Sequence, residues 1–212
     1  MLAGIVAAAP QHITHRRLQG LTPLMVEAIA AQLDASGVAK ATVESVLESG
    51  NDAIFGALFW FALLGLPGAA LYRFANMADA MWGYPGVYKE QNWAWAGKWA
   101  ARVDDVLSWL PARITAALLL LVAGLRGAVL ARQLPAQARQ TPLPNSGWPM
   151  AAMALNLDVV LRKPGVYVLN PQGRAAVAAD TAGALVYASK ALLALVVIAQ
   201  AAMVLIVLGA GR

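Results

Sequence analysis

Residues 52–73 read DAIFGALFWFALLGLPGAALYR, twenty uncharged residues closed by Asp52 at one end and Arg73 at the other. A helix of about twenty apolar residues matches the roughly 30 Å hydrocarbon core of a bilayer. A second stretch of this kind, ALLALVVIAQAAMVLIVLGAG at residues 191–211, lies between Lys190 and Arg212. Two such segments in a chain of 212 residues exceed what a soluble core of that size can wrap. Composition agrees, with 60% hydrophobic and 13% charged residues and a mean hydropathy of +0.60. A soluble domain carries about 25% charged residues. The class expected is all-α, a polytopic helical membrane protein forming one domain over residues 1–212. It is placed in the cell membrane as a multi-pass chain in contact with lipid.

Outward from these stretches the pattern is mixed. ITAALLLLVAGL, residues 114–125, reaches spanning length only when extended back to Val106, and then contains Arg113 and Pro111. GWPMAAMALNL, residues 147–157, is short enough to be re-entrant or interfacial. Residues 23–35 carry apolar positions at helical spacing and read as an amphipathic helix. Residues 41–52 continue helically into the first apolar run, and a helical pattern resumes from about residue 92. Turn signals on either side of Val166–Leu169 suggest a small β-hairpin near 165–172. The first eleven residues lack a positive leader and a full apolar core, so no cleaved signal peptide is expected.

Charge is uneven. Residues 1–105 hold seven Lys/Arg against nine Asp/Glu, and residues 106–212 hold nine against two. Basic excess in short loops marks the cytoplasmic side, which assigns the loop with Arg126, Arg132 and Arg139 to the cytoplasm. No basic run or motif points to nucleic acid. Cysteine is absent, and the two histidines, His12 and His15, are too few for a zinc site. Phosphate-loop, dinucleotide and nucleophile-elbow signatures are absent as well.

The candidate chemistry sits at the edges of the apolar runs. Glu44, Glu48 and Asp52 recur every four residues on one helix face, a pattern that a solvated acidic face satisfies as well as a site does. Asn76 and Asp79 share a face beyond Arg73, in otherwise apolar surroundings. Asp104 and Asp105 form a pair suited to Mg²⁺, which takes one or two carboxylates and completes its shell with water and phosphate. Arg102 and Arg113 could fork onto a phosphate or carboxylate, although Arg102 could equally neutralise Asp105 three residues on. The tryptophans gather beside the apolar runs, as an interfacial belt does.

Four collinear segments resemble one family. VESVLESGNDAIFGALFW is similar to the VESV-x-EN-x-SDG-x-x-x-PLFY signature of the CobD/CbiB cobalamin-biosynthesis proteins, the adenosylcobinamide-phosphate synthases. YRFANMADAMWGY, ARVDDVLSWLPARITA and TPLPNSGWPMAAMA resemble that family's next three motifs, and KPGVYVL follows in its usual place. The resemblance covers about residues 41–190 and marks the chain as a short, N-terminally reduced member. It departs at Glu48–Ala53, where an asparagine and a glycine of the signature are replaced, and at Ala57, which stands for a proline.

The resemblance implies an enzyme, an amide-forming ligase using ATP and Mg²⁺. Its substrates would be adenosylcobyric acid and aminopropanol or its phosphate, joined at a propionate carboxyl to give adenosylcobinamide or its phosphate. Glu48, Asp52, Asp79, Asp104 and Asp105 would then hold Mg²⁺ or act as base toward the amine, with Asp104 and Asp105 as the metal pair. Arg102 and Arg113 would grip phosphate, and Asn76 and Asn145 would bind substrate. A partner subunit or a homo-oligomer fits the same family reading. The alternatives are a noncatalytic scaffold of corrinoid assembly and a transport component; the second is disfavoured because the two apolar runs carry no charge.

Overall fold

The computed structural model describes residues 35–83, 86–88, 90–163 and 165–210. The amphipathic helix expected at 23–35 lies outside them, apart from its last residue. The described chain is mainly helical. Helix α1 (Ala35–Gly50) runs through a wider π-helical turn, Asn51–Phe55, into α2 (Gly56–Trp82). A two-stranded hairpin follows, β1 (Val87–Tyr88) and β2 (Gln91–Asn92), and then α3 (Ala94–Leu121). Two short helices, α4 (Leu125–Leu130) and α5 (Leu134–Ala138), lead to α6 (Gly147–Leu157). A second hairpin, β3 (Leu161–Lys163) and β4 (Tyr167–Leu169), precedes the long α7 (Ala178–Ala210).

Two helical stretches, Ser36–Trp82 and Ala178–Gly209, are long and apolar enough to cross a membrane by length and composition. The first does not run straight. At Gly65 the backbone takes φ 68° and ψ −155°, a conformation that essentially only glycine adopts. The two arms of α2, residues 56–64 and 66–82, then fold back on each other. In a continuous helix Gly56 and Tyr72 would stand about 24 Å apart; here a Cβ on Gly56 would overlap the Tyr72 ring. A Cβ on Gly68 would likewise overlap the Trp60 carbonyl. The run at 53–72 is therefore an antiparallel helical hairpin, and sequence reading of it as one straight span is corrected. Gly124 (φ 65°) makes a comparable reversal after α3, where Gly127 of α4 presses against the Leu120 carbonyl.

Of the other expected segments, α3 is continuous through Pro111, and its last turns are buried at Leu118, Leu119 and Leu120. The stretch at 147–157 is neither re-entrant nor interfacial. It is the core helix α6, buried from Pro149 to Asn156 and packed against α3, α5, α1 and α7. Its small side chains, Ala151, Ala152 and Ala154, let neighbouring backbones approach. Asn156 donates to the Leu119 carbonyl at 2.8 Å, one of the acceptors that the last turn of α3 leaves unpaired. The β-hairpin near 165–172 is found a few residues earlier, at 161–169, because Gly165 (φ 70°) centres the reversal between Lys163 and Tyr167. The second turn signal forms a separate turn, closed by Gly173 N–H on the Asn170 carbonyl at 2.9 Å. The hairpin at 87–92, with Glu90 at φ 65°, was not expected.

Helix α7 opens with a well-made first turn. Asp180 accepts both forks of Arg174, at 2.8 and 2.6 Å, and the Val177 N–H at 2.7 Å. Its later residues stand clear of the protein, with Leu205, Ile206, Val207 and Leu208 each more than 60% exposed.

Candidate functional site

The reversal at Gly65 decides where the polar groups meet. It brings Asp52, at the foot of the first arm, beside Arg73 and Asn76 on the second, and α3 packs across both arms. Arg73 Nη1 donates to the Asp52 carbonyl and to Asn76 Oδ1, each at 3.3 Å. Asn76 Nδ2 donates to Asp104 Oδ1 at 3.3 Å. Asn51, buried in the π-helical turn, donates to Asp52 Oδ1 at 3.0 Å. Asp79 is buried one turn beyond Asn76. Four of the sequence-derived candidates, Asp52, Asn76, Asp79 and Asp104, thus come from two motifs and the start of a third to one place.

The frame around them is hydrogen-bonded from α2 to α3. Pro111 has no N–H to offer the Leu107 carbonyl, and the Trp60 indole supplies the missing donor at 3.0 Å. The hydroxyls of Tyr72 and Ser108, both buried, meet at 3.2 Å. Carboxylates outnumber cations here. Burial, together with the charges of Asp52 and Asp79, pushes the Asp104 carboxyl up to about 7, against which the Asn76 bond acts; Asp105 raises it further.

Arg113 and Asn145 form the neighbouring wall. The Arg113 guanidinium lies between two indoles, 4.1 Å from the Trp109 ring centroid and 4.7 Å from that of Trp148. It donates to the Trp109 carbonyl, to Asn145 Oδ1 at 3.3 Å and to the Pro144 carbonyl at 3.5 Å. Asn145 Nδ2 donates to the Asp105 carbonyl at 2.8 Å. Both side chains are turned onto the protein and fix the α3 segment that carries Asp104 and Asp105. A shallow cleft of about 340 Å³ opens alongside, lined by Asp105, Val106, Trp109 and Pro144.

Two candidates stand apart. Arg102 is exposed, and no carboxylate among the described residues pairs with it, so its expected neutralisation of Asp105 is not seen. Glu48 bears on Glu44 and Tyr167. There the Tyr167 hydroxyl donates to Glu44, and burial together with that carboxylate raises the Tyr167 hydroxyl above its ordinary value. The Lys40 amine closes this second cluster on the Arg162 carbonyl at 2.6 Å. A hollow of about 620 Å³ beneath the β3–β4 turn is lined by Gln140, Arg162, Lys163 and Tyr167, and by none of the clustered aspartates.

Sequence reading missed Arg73, Tyr72 and Ser108. Arg73 carried a signal, since it closes the uncharged run and opens the YRFANMADAMWGY motif, but it read as the end of a span.

Among the described residues no three carboxylates or imidazoles gather tightly enough to enclose a metal ion. The donor set fits an open Mg²⁺ site, in which one or two carboxylates share the ion with water and phosphate. Asp104 fits that part best, with a partly buried carboxyl among other acids that a cation would relieve.

Fold and site define a class: a helical protein with helical stretches long and apolar enough to cross a membrane and a cluster of carboxylates at the foot of a helical hairpin. The CobD/Cbib protein family model matches residues 11–196, and the chain belongs to that family. Over 130 residues it is 52% identical to the cobalamin biosynthesis protein CobD of Chromobacterium violaceum, covering 61% of this chain and 40% of the relative. It is 46% identical over 140 residues to the CobD of Stutzerimonas stutzeri, covering 65% and 43%. A probable CobD of Methanocaldococcus jannaschii is 41% identical over 143 residues, covering 66% and 45%. The chain spans less than half the length of these relatives. No solved structure matches it.

Proposed function

We propose that the chain forms the amide between a propionate carboxyl of adenosylcobyric acid and aminopropanol or its phosphate, giving adenosylcobinamide or its phosphate. The observation that carries this reading is the meeting of Asp52, Asn76, Asp79 and Asp104 at one hairpin foot, in a member of a cobalamin-biosynthesis family. Joining a carboxylate to an amine needs activation of the carboxyl, and ATP with Mg²⁺ supplies it in this reading. Asp104 and Asp105 would hold the ion. A neighbouring carboxylate, Asp52 or Asp79, would take the proton that the amine must lose, since an ammonium is no nucleophile. The exposed Arg102 would meet phosphate, and Asn76 would keep Asp104 oriented. Arg113 and Asn145 would act by positioning, because three Arg113 N–H groups and one from Asn145 already bond within the protein. Glu48 belongs to the separate Glu44–Tyr167 cluster and takes no direct part in this reading.

The reading places the chain in a cell membrane, with α7 crossing it. Thirty-three helical residues extend about 50 Å, enough for a 30 Å core. The test is growth of a strain that depends on this protein for its corrinoid. Asp104→Asn and Asp105→Asn are expected to abolish corrinoid amidation; undiminished amidation would remove both residues from the mechanism. A second reading is favoured by the departures from the family signature at Glu48–Ala53 and Ala57: a noncatalytic partner in corrinoid assembly. It predicts that purified chain binds cobyric acid yet forms no amide with aminopropanol phosphate and ATP.

A further inference from the structure

We propose that residues 53–72 enter and leave the bilayer on the same face, as a re-entrant hairpin whose apolar tip is held among the acyl chains. This rests on the membrane reading above and goes beyond it, since it fixes which side both ends of the hairpin occupy.

Length is the first argument. From Asp52 to Gly65 the first arm advances thirteen residues, about 20 Å at 1.5 Å per residue. That is short of the roughly 30 Å hydrocarbon core, so a hairpin of this reach enters the membrane without crossing it. Charge is the second. Gly65 splits the uncharged run into twelve residues before it and seven after, so Asp52, Arg73 and Asp79 all lie toward the open end, with Arg73 Nη1 3.3 Å from the Asp52 carbonyl. Drawing that end through the bilayer would carry several ionisable groups into hydrocarbon.

Exposure is the third. Around the reversal Phe61, Leu63, Leu64, Leu66 and Leu71 are 52–72% exposed. The inward faces are occupied instead, by Gly56 and Gly68 where the arms touch and by Tyr72 and Ala75. A single residue makes the reversal, and Pro67, two residues beyond it, has no N–H to leave unpaired at the tip. Acyl chains are the occupant that an uncharged tip of this length fits.

The absence of cysteine makes the test direct. In the full chain, Ser49→Cys and Met81→Cys stand sixteen residues to either side of Gly65, and Leu64→Cys marks the tip. Each is exposed to an impermeant maleimide in sealed membrane vesicles of either orientation; Ser45→Cys and Met77→Cys serve as a second flanking pair should the first fold poorly. Both flanks are expected to label from the same face, with Leu64→Cys labelling only after detergent. Flanks labelling from opposite faces would overturn the proposal, as would a tip that labels from water as fully as the flanks. Resistance to alkaline carbonate is read in parallel. A chain that stays in the membrane with opposite-face labelling loses the hairpin alone, whereas a chain stripped by carbonate loses the membrane reading too.

Discussion

Gly65 carries more of this architecture than any other residue. Its φ of 68° with ψ −155° lies in a region that a side chain makes costly, by about 1–3 kcal/mol. Gly65→Ala is expected to lower the melting temperature by about 2–12 °C, at about 2–4 °C per kcal/mol for a chain of this size. An unchanged melting temperature would mean that the arms do not need that backbone angle. Asp104 gives a prediction of another kind. Its carboxyl is raised from 3.8 to about 7 by burial and by Asp52 and Asp79. Between those values the folded chain holds a proton that the unfolded chain has released, so stability falls as pH rises through that window. Asp104→Asn removes this contribution. Metal-free wild-type protein should therefore lose more stability between pH 5.5 and 8 than the variant does, and parallel melting curves would contradict the assignment. The acids themselves were legible in sequence because they bound apolar runs, where a charge is conspicuous. Arg73 was as visible and was passed over, since a cation closing twenty apolar residues looks like the end of a span until the chain is known to turn back.

Between elements, the contact of α2 with α3 depends on a donor that proline removes. Pro111 leaves the Leu107 carbonyl without its helical partner, and the Trp60 indole reaches it at 3.0 Å. Trp60→Phe should cost about 1–3 kcal/mol, the range for stranding a buried polar group. With Pro111→Ala in place the helix supplies its own N–H, and the same substitution should cost less than half as much. Equal costs in the two backgrounds would show that the indole acts only by packing. Hydropathy showed the elements but not their paths. LGLPG inside an apolar run is compatible with a tolerated proline in a straight membrane helix, and no property of glycine's side chain announces the sign of φ. The stretch at 147–157 looked interfacial because it is short and apolar; it is short because it is the core, enclosed on every side by other helices. The β3–β4 hairpin was legible from its turn residues, and only its register needed coordinates.

Across the whole molecule, folding the first apolar run back at Gly65 leaves α7 as the one straight helix both long and apolar enough to cross a membrane among the described residues. The hairpin then serves as a framework, and its foot gathers groups that are 52 residues apart in sequence, from Asp52 to Asp104. The family motifs had announced these positions, but not that Arg73 would join them or that Arg113 would be stacked between Trp109 and Trp148. A guanidinium held in that way contributes about 0.5–2 kcal/mol. Arg113→Lys is therefore expected to lower the melting temperature by a few degrees, more than loss of the exposed Arg102 does. Arg102→Ala should instead leave the melting temperature unchanged and raise the KM for ATP, which steady-state kinetics would show. The central claim is that the hairpin foot is a site of amide formation. Its most direct test is ATP-dependent production of adenosylcobinamide phosphate by the purified full chain, comparing wild type with Asp104→Asn and with Glu90→Gln at an exposed turn. The expected result is product from wild type and Glu90→Gln alike, with kcat at least about 100-fold lower in Asp104→Asn; full turnover by Asp104→Asn would contradict it.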